Sequence, residues 1–323
     1  MEHRTKRKKS NFRFIRPNLN NSSTKDLAIT HYHYDHYNLL EKFRGKFFDN
    51  VYLPALPPES PTARVILEFL SLASVIHYKG YPAIGEIIRV AKNNITALTA
   101  KDCFYSLNKK WEVLWPDYNI IDRRNIITIQ QIREKINEIK NKLKKMNPKF
   151  LEEFEYWYEI FSTYFNDKRE KPIADEIERE KRRKYNISPQ IKNSLEEIEK
   201  TFKSLVDRSS LVFKEINHDF LFTGDIDKII LDHELDFGNN NYFLIEAPHH
   251  GTRYGKAFDK VSTEILLISR KHDDNIATEF FKKLPWKVLV DTARAGNSIL
   301  KVLGYSNKIV IAYTSVLTIF YLL

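Results

Sequence analysis

The segment DLAITHYHYDHYNLL, residues 26–40, constrains this chain more than any other. An apolar strand over residues 26–30 runs directly into His31, His33, Asp35 and His36. Unpartnered imidazoles and carboxylates at the end of a buried strand are costly, so the fold must bring something to them. A metal ion is the first candidate; a surface loop rich in histidine is the plain alternative. On a strand, alternate residues share a face, so His31 and His33 can point together. Asp35 and His36 fall in the turn beyond and can reach a second position about 3.5–4 Å away, the spacing of two-metal sites. Imidazoles with carboxylates suit zinc, as one or two ions, with manganese or iron as the alternatives.

Two later stretches supply further ligands of the same kind. In FLFTGDI, Asp225 follows a strand and a glycine, where a carboxylate could bridge two cations. In EAPHHGT, His249 and His250 end another buried strand at a glycine turn. A Thr-Gly-Asp turn alone is ordinary turn chemistry. In this order, after the first motif, the two stretches complement it. Elsewhere His3 and His77 read as surface residues, and His218 and His233 as turn residues flanking the Asp225 strand. Thr252 reads either as a donor to a substrate oxygen or as a simple cap.

The 323 residues hold one large domain or two ordinary ones, and 42% hydrophobic with 29% charged residues suits a soluble globular protein. A single cysteine, Cys103, excludes an internal disulfide framework and any cysteine-rich zinc site. It fits a reducing, cytoplasmic setting. The formal charge of +10 favours a polyanionic partner such as a nucleic acid or nucleotide substrate. Part of that excess lies in Arg4, Lys6, Arg7, Lys8 and Lys9, which also read as a solvated tail. The basic start leads into polar residues, so no signal peptide is expected. The terminal IVIAYTSVLTIFYLL reads as one or two buried closing strands, too short for a membrane span. No membrane association is expected.

Strand-like and helix-like segments alternate through residues 1–120, including strands at FRFIR, NVYLPAL and WEVLWPD and a helix at SPTARVILEFLSLASVIHY. A short helix is expected near residues 99–108. Residues 121–205 read as a helical insertion. Ile129, Ile132, Ile136, Ile139, Leu143 and Met146 are spaced as a heptad seam, Asn147-Pro148 breaks the helix, and FLEEFEYWYEIFSTYF follows. Ser188-Pro189 then opens a helix carrying Ile191, Leu195, Ile198, Phe202 and Leu205. Its mixed charges predict an antiparallel helical hairpin or a contact with a second copy or another protein; a nucleic-acid clamp is the alternative. Residues 206–323 return to the α/β style, with SLVFKEI and DFLFTGDI as a hairpin and YFLIEAPHHGT, EILLISR and WKVLVDTA as further strands.

Taken in order, THYHYDHYN, EVLWP, SSLVF, FLFTGDI, APHHGT and LLISR resemble a metallo-β-lactamase-fold hydrolase. The resemblance is closer to the branch holding the hydrolase domain of DNA-uptake competence proteins, and covers both flanks of the insertion. It implies an α/β fold, an αββα sandwich with a large helical insertion, with cations at the strand ends along one edge. One position would use His31 and His33; the second would use Asp35, His36 and one of His249 or His250, with Asp225 bridging. Asp35, Asp225, His250 and His272 would act in catalysis.

Three departures from the family pattern stand out. Only about thirty residues precede the first motif, so the usual opening hairpin is shortened. Where many relatives place a histidine before the bridging aspartate, this chain reads VDRSSLVF, with Asp207 as the candidate ligand or an ordinary turn residue. The usual late histidine is represented only by His272 in RKHDD. The expected function is a metal-dependent hydrolase, a phosphodiesterase or nuclease acting through an activated water. The tyrosines at 32, 34 and 37 would either stack on bases or pack on the sheet. Hydrolysis of lactones, thioesters or amides is the enzymatic alternative, and a catalytically degenerate scaffold the non-enzymatic one.

Overall fold

The computed structural model describes residues 24–37, 40–43, 45–166, 171–172, 185, 187–269, 283–291, 298–302, 309–313 and 318–322; at 24, 35, 171–172 and the last three segments it describes the backbone alone. The FRFIR segment and His272 lie outside the described residues.

The fold is mixed α/β, built on two seven-stranded sheets. The first sheet contains β1 (Thr24–Ala28), β2 (Phe48–Pro54), β3 (Ala91–Leu98) and the two-residue β6 (Lys171–Pro172), with β12 (Ser298–Val302), β13 (Ile309–Tyr313) and β14 (Thr318–Leu322). Its order is β12-β13-β14-β1-β2-β3-β6, with β1, β2 and β3 parallel and β14 antiparallel to β1. The apolar C-terminal segment thus supplies two strands, β14 beside β1 and β13 beside β14. The second sheet contains β4 (Cys103–Ser106), β5 (Lys109–Trp115), β7 (Val212–Glu215), β8 (Phe220–Phe222), β9 (Asn241–Glu246), β10 (Ser262–Ile268) and β11 (Trp286–Asp291). Its order is β11-β10-β9-β8-β7-β5-β4.

The expected helix near residues 99–108 is not there. Cys103–Ser106 and Lys109–Trp115 instead pair antiparallel as a hairpin. Its two connecting residues, Leu107 and Asn108, both have positive φ, 55° and 61°, as a twisted two-residue hairpin turn demands. The reason is alternation: Phe104 and Ser106 are buried while Tyr105 between them is 70% exposed, a period of two that helix propensity does not override. Phe104 packs on Trp111 and Phe213 and joins Ala28, Tyr52 and Leu98 of the first sheet in one apolar cluster. Ser106 also reaches across, donating to Asp26 at 2.6 Å. The sheets therefore meet face to face.

The helices are α1 (Tyr34–Tyr37), α2 (Pro61–Val75), α3 (Gly85–Val90), α4 (Tyr118–Met146), α5 (Phe150–Phe165), α6 (Pro189–Arg208) and α7 (Lys228–His233). His233 is thus the last residue of a helix rather than part of a turn. α2 starts as expected, with Pro61 in its first turn and the Ser60 hydroxyl accepting from Ala63 N. It is buried almost all round, because α4 and α5 pack over it and α6 packs on α4. Along α4 the seam residues Ile129, Ile132, Ile136, Ile139 and Leu143 are buried; only Met146, 58% exposed, leaves the pattern. These buried seam residues belong to a second apolar cluster, which runs from Leu27 and Val51 of the first sheet through α2 to Phe154, Phe161, Leu195 and Phe202. The heptad seam thus finds its partners within its own chain. Among the described residues no helix is long and apolar enough to cross a membrane.

Candidate metal centre

Four segments meet where β1 and β8 end. β1 stops at Ala28, so His31 and His33 stand in irregular backbone rather than on strand alternation. They are brought together all the same, His31 Nε2 lying 3.1 Å from His33 Nδ1. The Thr30 hydroxyl lies 3.1 Å from His31 Nδ1, which leaves Nε2 aimed inward. His36 follows on the one-turn α1. The Asp35 backbone lies on that turn too, but its side chain is outside the described residues.

The second segment is the Thr223-Gly224-Asp225 turn after β8. Gly224 has φ +51°, and a Cβ there would fall 2.8 Å from the Thr30 Cβ. Glycine is therefore needed twice, for the left-handed backbone and for the close approach that delivers Asp225 to the histidines. The Asp225 Oδ2 stands 3.5 Å from His31 Nε2, 3.6 Å from His36 Nε2 and 3.7 Å from His250 Nε2.

The third segment is the turn Pro248–Gly251. His249, His250 and Gly251 all have positive φ, 46°, 59° and 78°. Two consecutive histidines in the left-handed region store strain of about 1–2 kcal/mol each, which persists only where surrounding contacts hold it. Those contacts include His249 N donating to Gly224 O at 2.9 Å. His250 Nδ1 donates to the Ser269 carbonyl oxygen, which orients the ring so that Nε2 faces Asp225. The Thr252 hydroxyl gives its proton to His249 O and so accepts from His249 Nδ1 at 2.6 Å. Thr252 is thereby a cap on the histidine turn.

The fourth segment is the C-terminal turn of α6. Asp207 is there, on a helix and only 4% exposed, not in a loop. Its helix end is held by Trp115 Nε1 donating to Arg208 O at 2.6 Å and by Arg208 Nε donating to Asp227 at 3.0 Å. Leu211 N donates to Thr30 O at 2.7 Å, tying the following strand to the histidine segment. Asp207 Oδ1 lies 3.5 Å from His33 Nδ1 and has no hydrogen-bond partner among the described residues.

These contacts make two groups that could hold a divalent ion: His31, His33, Asp207 and Asp225, all buried, and His36, Asp225 and His250, of which the histidines are half-buried. Ligand atoms within each group lie within 4.8 Å of one another. Asp225 belongs to both. His249 belongs to neither; its Nε2 is 3.9 Å from both Asp207 and Asp225.

The electrostatics are those of a cation site. Burial, and then the charge of His36, holds the His31 ring well below its usual value, so it is a neutral donor. Burial, only partly offset by Asp225, lowers His249 to about 4. Burial works against the Asp225 carboxylate, but His250, His31 and His36 around it outweigh burial and hold it well below the usual range. Burial, and then the charge on Asp225, pushes Asp207 up to about 7, with Arg253 opposing. Two buried carboxylates that repel, ringed by imidazole nitrogens, with one carboxylate oxygen lacking a hydrogen bond among the described residues, are the donor set a divalent cation satisfies.

Arg253 carried no signal in the sequence. Its Nη2 donates to Asp207 Oδ2 at 2.6 Å, and its Nη1 donates to the carbonyls of Asp225 at 2.5 Å and Ile226 at 3.1 Å. Only its place three residues after a His-His pair could have drawn attention to it. His218, at φ +63°, lies in the β7–β8 turn as expected, far along the strands from these groups.

No protein-family model, no curated protein and no solved structure matches the chain.

Proposed function

We propose that this chain is a metal-dependent hydrolase of αββα type, its segments 1–120 and 206–323 sharing one centre on either side of the inserted helices at 121–205. The observation that carries this reading is the position of Asp225, common to two groups of donors that close around it. His31, His33, Asp207 and Asp225 would hold one cation, and His36, Asp225 and His250 the other, with Asp35 near enough in sequence to join. Imidazole nitrogen and carboxylate oxygen favour zinc, with manganese next. Bound cations would acidify a water, polarise the substrate's scissile group and offset charge in the transition state.

The protein's own residues set up that chemistry. Ser269 O and Thr252 orient the rings of His250 and His249, so that each presents Nε2 to the centre. The His31 group brings together four buried donors, whereas the His36 group has, among the described residues, three, two of them half-buried rings; the more exposed group would be the one that meets substrate. His249, its side chain 33% exposed and its Nε2 3.9 Å from both Asp207 and Asp225, could take the proton of the attacking water or orient a substrate oxygen.

A phosphodiester in a nucleic acid or nucleotide is the favoured substrate, supported by the net charge of +10 and by the motif resemblance to DNA-handling hydrolases. Metal content per chain, measured by mass spectrometry, is expected near two and lower in Asp225→Asn. The loaded wild type is then expected to cleave DNA, RNA or a cyclic nucleotide. Hydrolysis of a simple ester with none of these three cleaved would overturn the phosphodiester assignment.

A further inference from the structure

We propose that Arg253 is the positioning residue of the four-donor cation position, acting through Asp207; the inference rests on the metal-centre reading above. Arg253 follows the left-handed histidine turn by two residues. Its planar guanidinium joins three of the ligand-bearing segments at once. Nη2 binds the Asp207 carboxylate at the end of α6, and Nη1 binds the main-chain oxygens of Asp225 and Ile226 in the Thr-Gly-Asp turn. The third segment is the one Arg253 itself extends, which carries His249 and His250.

The consequence is at a single oxygen. Asp207 offers a carboxylate, whose two equivalent oxygens could each serve as the ligand atom. With Oδ2 taken by Arg253 at 2.6 Å, Oδ1 is the oxygen left facing His33 Nδ1, 3.5 Å away. Asp207 thereby becomes a one-atom donor with a fixed direction. A lysine could match the charge but not the fork, because an ammonium cannot hold a carboxylate and two carbonyls in one plane. Both terminal nitrogens of Arg253 are engaged by protein oxygens, so its role is to hold the ligand, not to receive substrate.

The test uses the full-length chain stripped with a chelator and titrated with cobalt(II), read by its visible absorption and by binding isotherms. Wild type is expected to take up two equivalents. In Arg253→Gln the equivalent bound by His31, His33, Asp207 and Asp225 is expected to weaken about 10- to 100-fold, the usual effect of removing a residue that orients a metal ligand. Its absorption band should change shape, which a general loss of stability would not produce. Arg253→Lys should fall between the two. In an Asp207→Asn background, Arg253→Gln should add little, because the residue acts through Asp207. Two equivalents with wild-type affinity and spectrum in Arg253→Gln, or in Arg253→Lys if the glutamine variant does not fold, would overturn the assignment and leave the metal centre standing. No uptake by wild type would overturn both.

Discussion

At Gly224 a single hydrogen in place of a side chain decides whether Asp225 reaches the histidines. Gly224→Ala meets two penalties: roughly 1–2 kcal/mol for a left-handed non-glycine residue, and roughly 1–3 kcal/mol for forcing a methyl into filled space beside Thr30. A loss of about 2–5 kcal/mol in urea unfolding is expected, with reduced metal content; a change under about 0.5 kcal/mol would show that the turn does not approach Thr30 so closely. Glu199 gives a pH-dependent case away from the metal centre. It accepts from the Tyr78 hydroxyl at 2.9 Å and from Lys79. Burial would raise its carboxyl, but the bonds from Lys79 and Tyr78 outweigh burial and lower it. A carboxylate lowered in the folded state contributes stability above its unfolded value, near 4.3, and loses that contribution as pH falls through the folded value. Because the Lys79 side chain is 40% exposed, water screens the pair. Glu199→Gln should then lose only about 1 kcal/mol at pH 7, with the gap to wild type closing below about pH 4. A gap that stays constant from pH 7 to 3 would mean that ionisation of Glu199 contributes nothing.

Among the secondary elements, α2 depends on a cap that comes partly from another helix. Asp122 of α4 accepts from the Ser60 hydroxyl at 3.0 Å and from Thr62 N at 2.9 Å, while Ser60 accepts from Ala63 N at 3.1 Å. Asp122→Ala should therefore cost about 1–2 kcal/mol, more than an isolated exposed cap, since it frees one buried backbone donor and one hydroxyl of a buried helix; hydrogen exchange at Thr62 and Ala63 should accelerate. How much of this level the sequence disclosed depends on what a period can encode. The seam of α4 and the Ser60 and Ser188 caps were legible, because spacing and cap chemistry are local. What the seam packs against was not: its partner is α2, some sixty residues earlier, and nothing in a heptad pattern separates an internal partner from a second chain. The hairpin at 103–115 was missed because its turn residues, Leu107 and Asn108, carry no glycine. At the site, the histidines and Asp225 were legible from the cost of leaving such groups unpartnered. Asp207 was legible only as a possibility, and Arg253 not at all, since its role depends on three segments distant in sequence.

Across the whole molecule, the candidate centre is a tie between halves of the chain that share no sequence continuity. Its donors come from residues 31–36, from Asp207 and Asp225, and from His250, so cations would join the first motif to three later turns. A ligand that binds only the folded state adds stability by mass action, about 2.7 kcal/mol at a free concentration a hundred times its dissociation constant. The two positions should not contribute alike. Four buried donors shield one cation from water and chelator, whereas the other has, among the described residues, the shared Asp225 carboxylate and two half-buried rings. Chelation is therefore expected in two phases: the cation of His36, Asp225 and His250 leaves first, with a modest fall in melting temperature. The cation of His31, His33, Asp207 and Asp225 leaves later, with the larger fall. His250→Ala should abolish the fast phase and keep the slow one; His33→Ala should do the reverse. Metal content and melting temperature followed together during chelation would decide it. A single phase in wild type, lost as a unit in both variants, would mean that the donors form one cation site rather than two, with Asp225 an ordinary ligand instead of a bridge.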